Sequence, residues 1–268
     1  MTLPPLTPSL AQRPGQRPKG RNMTAIASGK GGVGKTWFAI TLTQALARKN
    51  QRALLFDGDL GLANVDIQLG LMPKQDLGGV IAGRLTLNQA ATNYTEGGFD
   101  VIAGRSGSGS LANIPLSRLQ LLTDDLVLLA GAYDKVILDL GAGVEKTVRM
   151  LAETAATVLV VCTDEPTSLT DAYAFIKVMH MERPGQDLRI VINMANSVRE
   201  GERTFATLKK ACEGFLKFSP ALAGVVRRDP KVRDTIRNQT PLLVRSPNTE
   251  AAQDVEAIAE QLMSTSTS

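Results

Sequence analysis

Short apolar runs alternate with longer segments whose apolar residues recur every three or four positions. The runs fall at 24–27, 53–56, 99–103, 135–140, 157–162, 188–193 and 222–226, and several are near-continuous in Val, Ile and Leu. That composition predicts strands buried on both faces. The intervening segments 35–48, 116–130, 168–181 and 202–212 carry the three-and-four spacing of amphipathic helices. The resulting βαβ rhythm predicts an α/β fold, a doubly wound and mostly parallel sheet flanked by helices, with ligands at the carboxyl ends of the strands. No internal repeat is visible.

The ends read differently. Residues 1–22 contain Pro4, Pro5, Pro8, Pro14 and Pro18 with the basic Arg13, Arg17, Lys19 and Arg21, and few large apolar side chains. Such a stretch buries too little to order itself and is expected to be a flexible basic tail. Residues 23–248 form the expected single domain, and 249–268 a C-terminal helix with a disordered end at 264–268. With 268 residues, 43% hydrophobic, the chain can bury one substantial core.

Composition narrows the function classes. Cys162 and Cys212 lie far apart with no metal-ligand spacing, which argues for a reducing cytosol and against a disulfide framework or an iron–sulfur site. No apolar stretch approaches the roughly 18 to 20 residues that span a bilayer, and no secretory signal opens the chain, so a cytoplasmic protein is expected. A formal charge of +4 permits contact with nucleic acid without requiring it.

The strongest chemistry lies at 29–36. Gly29, Lys30, Gly31, Gly32, Val33, Gly34, Lys35 and Thr36 match the phosphate-binding pattern G-x-x-x-x-G-K-[ST], directly after an apolar strand and at the start of a helix. Glycines let the backbone curl its N–H groups inward, and the helix N-terminus favours phosphate oxygens. Lys35 is expected at the β- and γ-phosphates, the Thr36 hydroxyl on Mg²⁺, and Trp37 beside them in the first turn. Asp57 and Asp59 follow the next strand, and Asp139 ends a later one. Acids at these positions suit Mg²⁺ binding or orientation of an attacking water. Taken alone, an Asp-x-Asp is more often a turn or cap; its place after a strand in this order changes that weighting. These residues make ATP and Mg²⁺ the expected cofactors.

Lys30, ahead of Gly31 and Gly32, gives the form KGGVGKT, which resembles the deviant Walker A of the MinD/ParA family (the SIMIBI class). The resemblance implies a nucleotide-sandwich homodimer with ATP, in which Lys30 reaches the partner's phosphates. Longer strings, DGDLGLANVD at 57–66, DEPTSLTDAYA at 164–174 and NMA at 193–195, resemble the FlhG/FleN subfamily, which limits flagellar number. By that resemblance the chain is a slow, dimer-dependent ATPase. Lys30, Lys35 and Asp59 are catalytic, with Asp59 positioning the hydrolytic water; Thr36, Asp59 and Asp139 serve the metal, and Asn193 contacts adenine. The implied partners are a flagellar GTPase (FlhF-like), a flagellar transcription activator or switch components. Rival readings are a ParA/MinD-like positioning ATPase for other cargo or the division site, and a weakly hydrolysing regulator that sequesters a transcription activator.

Some features depart from that pattern. The N-terminus is proline-rich and basic where subfamily members often carry an acidic, glutamine-containing activator motif. Val225, Val226, Arg227 and Arg228 lack the proline often found near the adenine. The C-terminal stripe Ala252, Val255, Ile258, Ala259 and Leu262 is accompanied by Glu250, Asp254, Glu256 and Glu260 with no Lys or Arg, so membrane binding is expected to be weak or absent and the helix packed on the domain. Peripheral placement at the membrane or cell pole stays open by the resemblance. The basic run Arg227, Arg228, Lys231, Arg233 and Arg237 is either a solvated face or a contact for DNA or an acidic partner. His180, the only histidine, has no assigned chemistry.

Overall fold

The computed structural model describes residues 20–104 and 114–264. The expected tail up to residue 19 and the last residues 265–268 lie outside the described residues. In chain order the elements are β1 (Gly20–Ser28), α1 (Lys35–Arg48), β2 (Ala53–Gly58), α2 (Val65–Leu69), α3 (Leu77–Ile81), α4 (Leu87–Ala90), β3 (Thr92–Tyr94) and β4 (Phe99–Ile102). There follow α5 (Leu116–Ala130), β5 (Lys135–Ala142), α6 (Lys146–Ala152), β6 (Ala155–Cys162), α7 (Pro166–Glu182), β7 (Asp187–Ala195) and α8 (Val198–Leu216). The chain closes with β8 (Ala221–Arg227), α9 (Pro230–Arg237), α10 (Leu242–Arg245) and α11 (Glu250–Ser264).

The strands form one eight-stranded sheet in the order β3-β4-β2-β5-β1-β6-β7-β8. Every pairing is parallel except β3 with β4. The seven runs read as strands are all strands. β3 was not expected, because three residues carry no readable alternation; Tyr94 anchors it by packing edge-on against Phe99 with ring centroids 5.5 Å apart.

Alternation along each strand divides the core in two. Met23, Ala25 and Ala27 of β1, Leu54 and Phe56 of β2, and Val136 and Leu138 of β5 enter one cluster, covered by α5, α6, α7 and α8. Ile26, Leu55 and Ile137 point the other way, into a cluster shared with α1, α10 and α11. Side chains two apart share a face, so a strand covered on both sides must be apolar throughout. Helix α1 is buried along nearly its whole length, from Lys35 to Leu46, which explains apolar residues around its full circumference.

One boundary falls differently from the sequence reading, and the C-terminal helix packs on the domain as expected. Strand β1 begins at Gly20, inside the stretch read as tail, because the Asn22 side-chain amide donates to the carbonyls of Ala130 and Tyr133 at 2.8 and 2.7 Å and the Gly20 N–H donates to Thr154. Helix α11 packs on α1 and β8. Its stripe Ala252, Val255, Ile258, Ala259 and Leu262 is buried, and its acids pair within the chain: Glu256 with Arg48, Glu260 with Lys49, and Asp254 with Arg227. Among the described residues no helix is long and apolar enough to cross a membrane.

Arg227 also changes meaning. Its guanidinium grips both oxygens of Asp254, at 2.9 and 2.8 Å, and reaches Glu250, so it fastens α11 to β8 rather than facing outward with the exposed Arg228, Lys231, Arg233 and Arg237. Replacing Arg227 with Ala leaves the largely buried Asp254 carboxylate short of two charge-assisted bonds. The expected cost is about 1.5 to 3 kcal/mol in urea unfolding. A loss under about 0.5 kcal/mol, the range of ordinary surface substitutions, would contradict this role.

Candidate functional site

The register of the sheet assembles the site. Parallel pairing sets Asp57 of β2 directly beside Asp139 of β5, and Ser28 of β1 beside Ala142 of β5. The loops leaving β1, β2 and β5 therefore rise together at one edge, where ligands of such sheets bind.

The loop after β1 is held open by close packing. Gly34 has φ +82°, and a Cβ there would lie 2.5 Å from the Asn193 amide nitrogen; Gly29 lies so close to α7 that its Cβ would meet the Asp171 carbonyl oxygen at 2.1 Å. Asn193, at the end of β7, donates to the Val33 carbonyl at 2.8 Å and accepts the Met194 N–H at 2.9 Å. Helix α1 then begins with no side-chain cap, leaving the N–H groups of its first turn to an anionic ligand.

Around the loop stand the acids. Asp139 is almost fully buried; its Oδ1 lies 3.4 Å from Lys35 Nζ, the Thr36 side chain is near enough to favour its charged form, and its Oδ2 has no partner among the described residues. Burial pushes its carboxyl above the ordinary range, with Lys35 and Thr36 opposing. Asp57 is pushed up to about 7, first by burial and then by the neighbouring Asp139, against the backbone N–H groups of Val65 and Asp59. Its Oδ2 accepts from Asn64 and Val65 N–H at 3.2 Å each, pinning the start of α2. Asp59 is less buried; its Oδ1 accepts from Gly61 and Leu62 N–H and faces Gly141 of the loop after β5.

These parts frame a cavity of about 840 Å³ whose lining includes Lys30, Lys35, Thr36, Asp59, Glu145 and Met194, within the size range of small-ligand sites. Among the described residues no cluster of acids, His and Cys could hold a metal by itself. The donor set does fit Mg²⁺ that also draws on phosphate oxygens: the Thr36 hydroxyl, the half-buried Asp59, and the unpartnered Oδ2 of Asp139. A separate groove of about 420 Å³ between α3, α4 and α5 contains none of the expected site residues.

The expected site residues thus fall into two groups. Lys30, Gly31, Gly32, Val33, Gly34, Lys35, Thr36, Trp37 and Asp59 line the cavity, while Asp139 backs it beside Lys35 and Thr36 and Gly29 packs beneath it against Asp171. Asn193 does not line it, since its amide is engaged in holding the loop; Met194 and Ile236 supply apolar surface beside Trp37 instead. Ile236 was not legible in the sequence, because α9 reaches the cavity only through the tertiary fold. Lys30 is turned sideways, with Nζ 2.8 Å from Glu165 Oε2 and 2.8 Å from Thr167 Oγ1. The Glu165 carboxyl is held below its ordinary range by Lys30. His180 stacks on Phe218 at 4.6 Å, burial raises the thiols of Cys162 and Cys212 to about 12 and about 11, and none of the three lines the cavity.

Residues 24–242 match the model of the CobQ/CobB/MinD/ParA nucleotide binding domain. The antiactivator FleN of Pseudomonas aeruginosa is 36% identical over 89% of this chain and 85% of its own length. The flagellum site-determining protein YlxH of Helicobacter pylori is 29% identical over 90% of this chain and 81% of its own. The septum site-determining protein MinD of Pyrococcus horikoshii, solved with Mg-ADP, superposes with a TM-score of 0.76 at 24% identity, covering 90% of this chain and 95% of that one, and so shares the fold. On the loop geometry, the acids beside it and these matches, the chain belongs to the CobQ/CobB/MinD/ParA nucleotide-binding family.

Proposed function

We propose that the chain is an ATP-dependent dimerisation switch that hydrolyses ATP slowly and controls the number or placement of flagella through partner binding. The observation that carries the switch is the position of Lys30. It projects from the phosphate loop at the mouth of the cavity, while Lys35 alone is buried inside against Asp139. A second cation at the mouth suits phosphates presented by a second copy of the chain. The rim supports the same reading: Leu62 and Ile236 line the cavity and are exposed, as is Val144 between Ala142 and Glu145. The flagellar assignment rests on the resemblance to FleN and YlxH.

Within this reading the chain's own groups divide the work. The loop N–H groups and Lys35 would bind the phosphates, Thr36, Asp59 and Asp139 would hold Mg²⁺, which when bound would supply charge neutralisation at the phosphates, and Asp59 would also orient the attacking water. Asp57 ties α2 to the strand end, so a shift at Asp59 is passed to the start of that helix. Trp37, Met194 and Ile236 form the apolar wall for the base.

Light scattering with ADP, ATP and a non-hydrolysable analogue tests the switch. Wild type and Asp59→Ala are expected to dimerise with ATP, Asp59→Ala without turnover, whereas Lys30→Ala stays monomeric; a wild type monomeric in every state sinks the proposal. An ATP dimer that never hydrolyses, even with its partner, would favour the second reading, a regulator that sequesters an activator, which the name of FleN supports. Lys35→Ala is expected to weaken nucleotide binding by roughly ten- to a hundredfold, the loss of one charge-assisted bond, measured by titration calorimetry.

The raised carboxyl of Asp57 gives a pH signature. Its pKa near 7 in the folded chain exceeds the ordinary 3.8, so folding favours the protonated form. That contribution is complete below about pH 4 and is lost as pH rises through about 7. The difference in Tm between nucleotide-free wild type and Asp57→Asn is therefore expected to shrink or reverse, to the wild type's cost, between these limits. A difference that is flat across the range would refute it.

A further inference from the structure

We propose that Glu165, together with Thr167, parks Lys30 on its own subunit and so sets how much ATP-bound chain is needed before two copies pair. The inference rests on the dimerisation reading and adds its threshold. Lys30 has room to point elsewhere: a Cβ on the neighbouring Gly31 or Gly32 would meet nothing within 4 Å. Instead its ammonium makes two contacts to α7, 2.8 Å to the Glu165 carboxylate and 2.8 Å to the Thr167 hydroxyl. Its backbone is fixed as well, because Ser28 Oγ donates to the Lys30 carbonyl at 2.9 Å.

The receiving side is equally well placed. Glu165 stands at the start of α7 before Pro166, yet its carboxylate makes no cap to its own helix and is spent on Lys30. The Asp171 carbonyl lies hard against Gly29, so α7 cannot slide along the phosphate loop without opening that packing. Arg228 also lies within the field of Glu165 and favours its charged form. Lys30 cannot hold Glu165 and a partner's phosphate with the same N–H groups, so the two arrangements compete.

The contact is solvent-exposed on both sides, which makes it a threshold and not a block. An exposed pair of this kind shifts an equilibrium by about 1.4- to 5-fold, and a dimer must open two of them, so the combined shift is roughly 2- to 25-fold. Salt should screen it, raising dimer affinity in the wild type relative to a variant without the carboxylate.

The test is light scattering against protein concentration with a non-hydrolysable ATP analogue, at about 0.1 M salt, on wild type, Glu165→Gln, Thr167→Val and Lys30→Ala. Circular dichroism and the ADP affinity of the monomer report whether each variant is folded and competent. Glu165→Gln is expected to dimerise at roughly 2- to 25-fold lower concentration, Thr167→Val to move the same way by less, and both to bind ADP as wild type does. If wild type dimerises and Glu165→Gln is unchanged or weaker, the parking role is wrong and Glu165 is neutral or helps the dimer. If wild type does not dimerise, the switch itself is wrong and the inference goes with it.

Discussion

The parallel register of β1, β5 and β2 is the constraint on which everything else depends. It places Asp57 and Asp139 side by side at the strand ends and brings the loop after Ser28 against the one after Ala142. A one-residue slip would turn each strand's side chains to the opposite face. Here that would exchange Ile26 with its neighbours between the two cores and separate the acids from Lys35. The apolar alternation that builds the two cores therefore also aligns the site, and the chemistry needs no separate scaffold.

Much of the fold was legible because strands covered on both faces must be apolar, and the site because phosphate binding needs glycines, a lysine and a hydroxyl at fixed spacing. What escaped the sequence reading had no local signal. β3 is three residues held by one aromatic contact, and α9 brings Ile236 to the cavity from a region read only as a basic run. Asn193 was recognised by resemblance, but its geometry shows an amide committed to the Val33 carbonyl, a contact across 160 positions that no periodicity encodes. Arg227 looked like one charge among five and proved to be the fastener of α11, since its acidic partners come from a helix read on its own.

The acidic side of α11 shows the same logic from the other direction. On sequence alone its acids argue only against an anionic surface. In the fold, Arg48 and Lys49 at the end of α1 meet Glu256 and Glu260, and Arg227 meets Asp254. These contacts orient the helix while its apolar stripe covers the α1 side of the sheet. The helix that begins with the phosphate loop is thus packed against α11 and paired with it at its far end.

Lys35 and Lys30 then face opposite electrostatic problems. Lys35 is buried, and its charge is met by Asp139 inside the chain, an arrangement in which an arriving phosphate and cation rearrange partners already in place. Lys30 is at the surface, where an unpaired charge costs little, yet it is paired all the same with Glu165 and Thr167. Stability does not demand that second pair, because exposed ion pairs contribute little to folding. Its physical consequence is directional: it holds a flexible four-carbon chain against the start of α7 at the cavity mouth. For a residue proposed to act between two subunits, a single-subunit state that is defined and weak is the useful one, and the exposed ion pair of Lys30 meets both conditions.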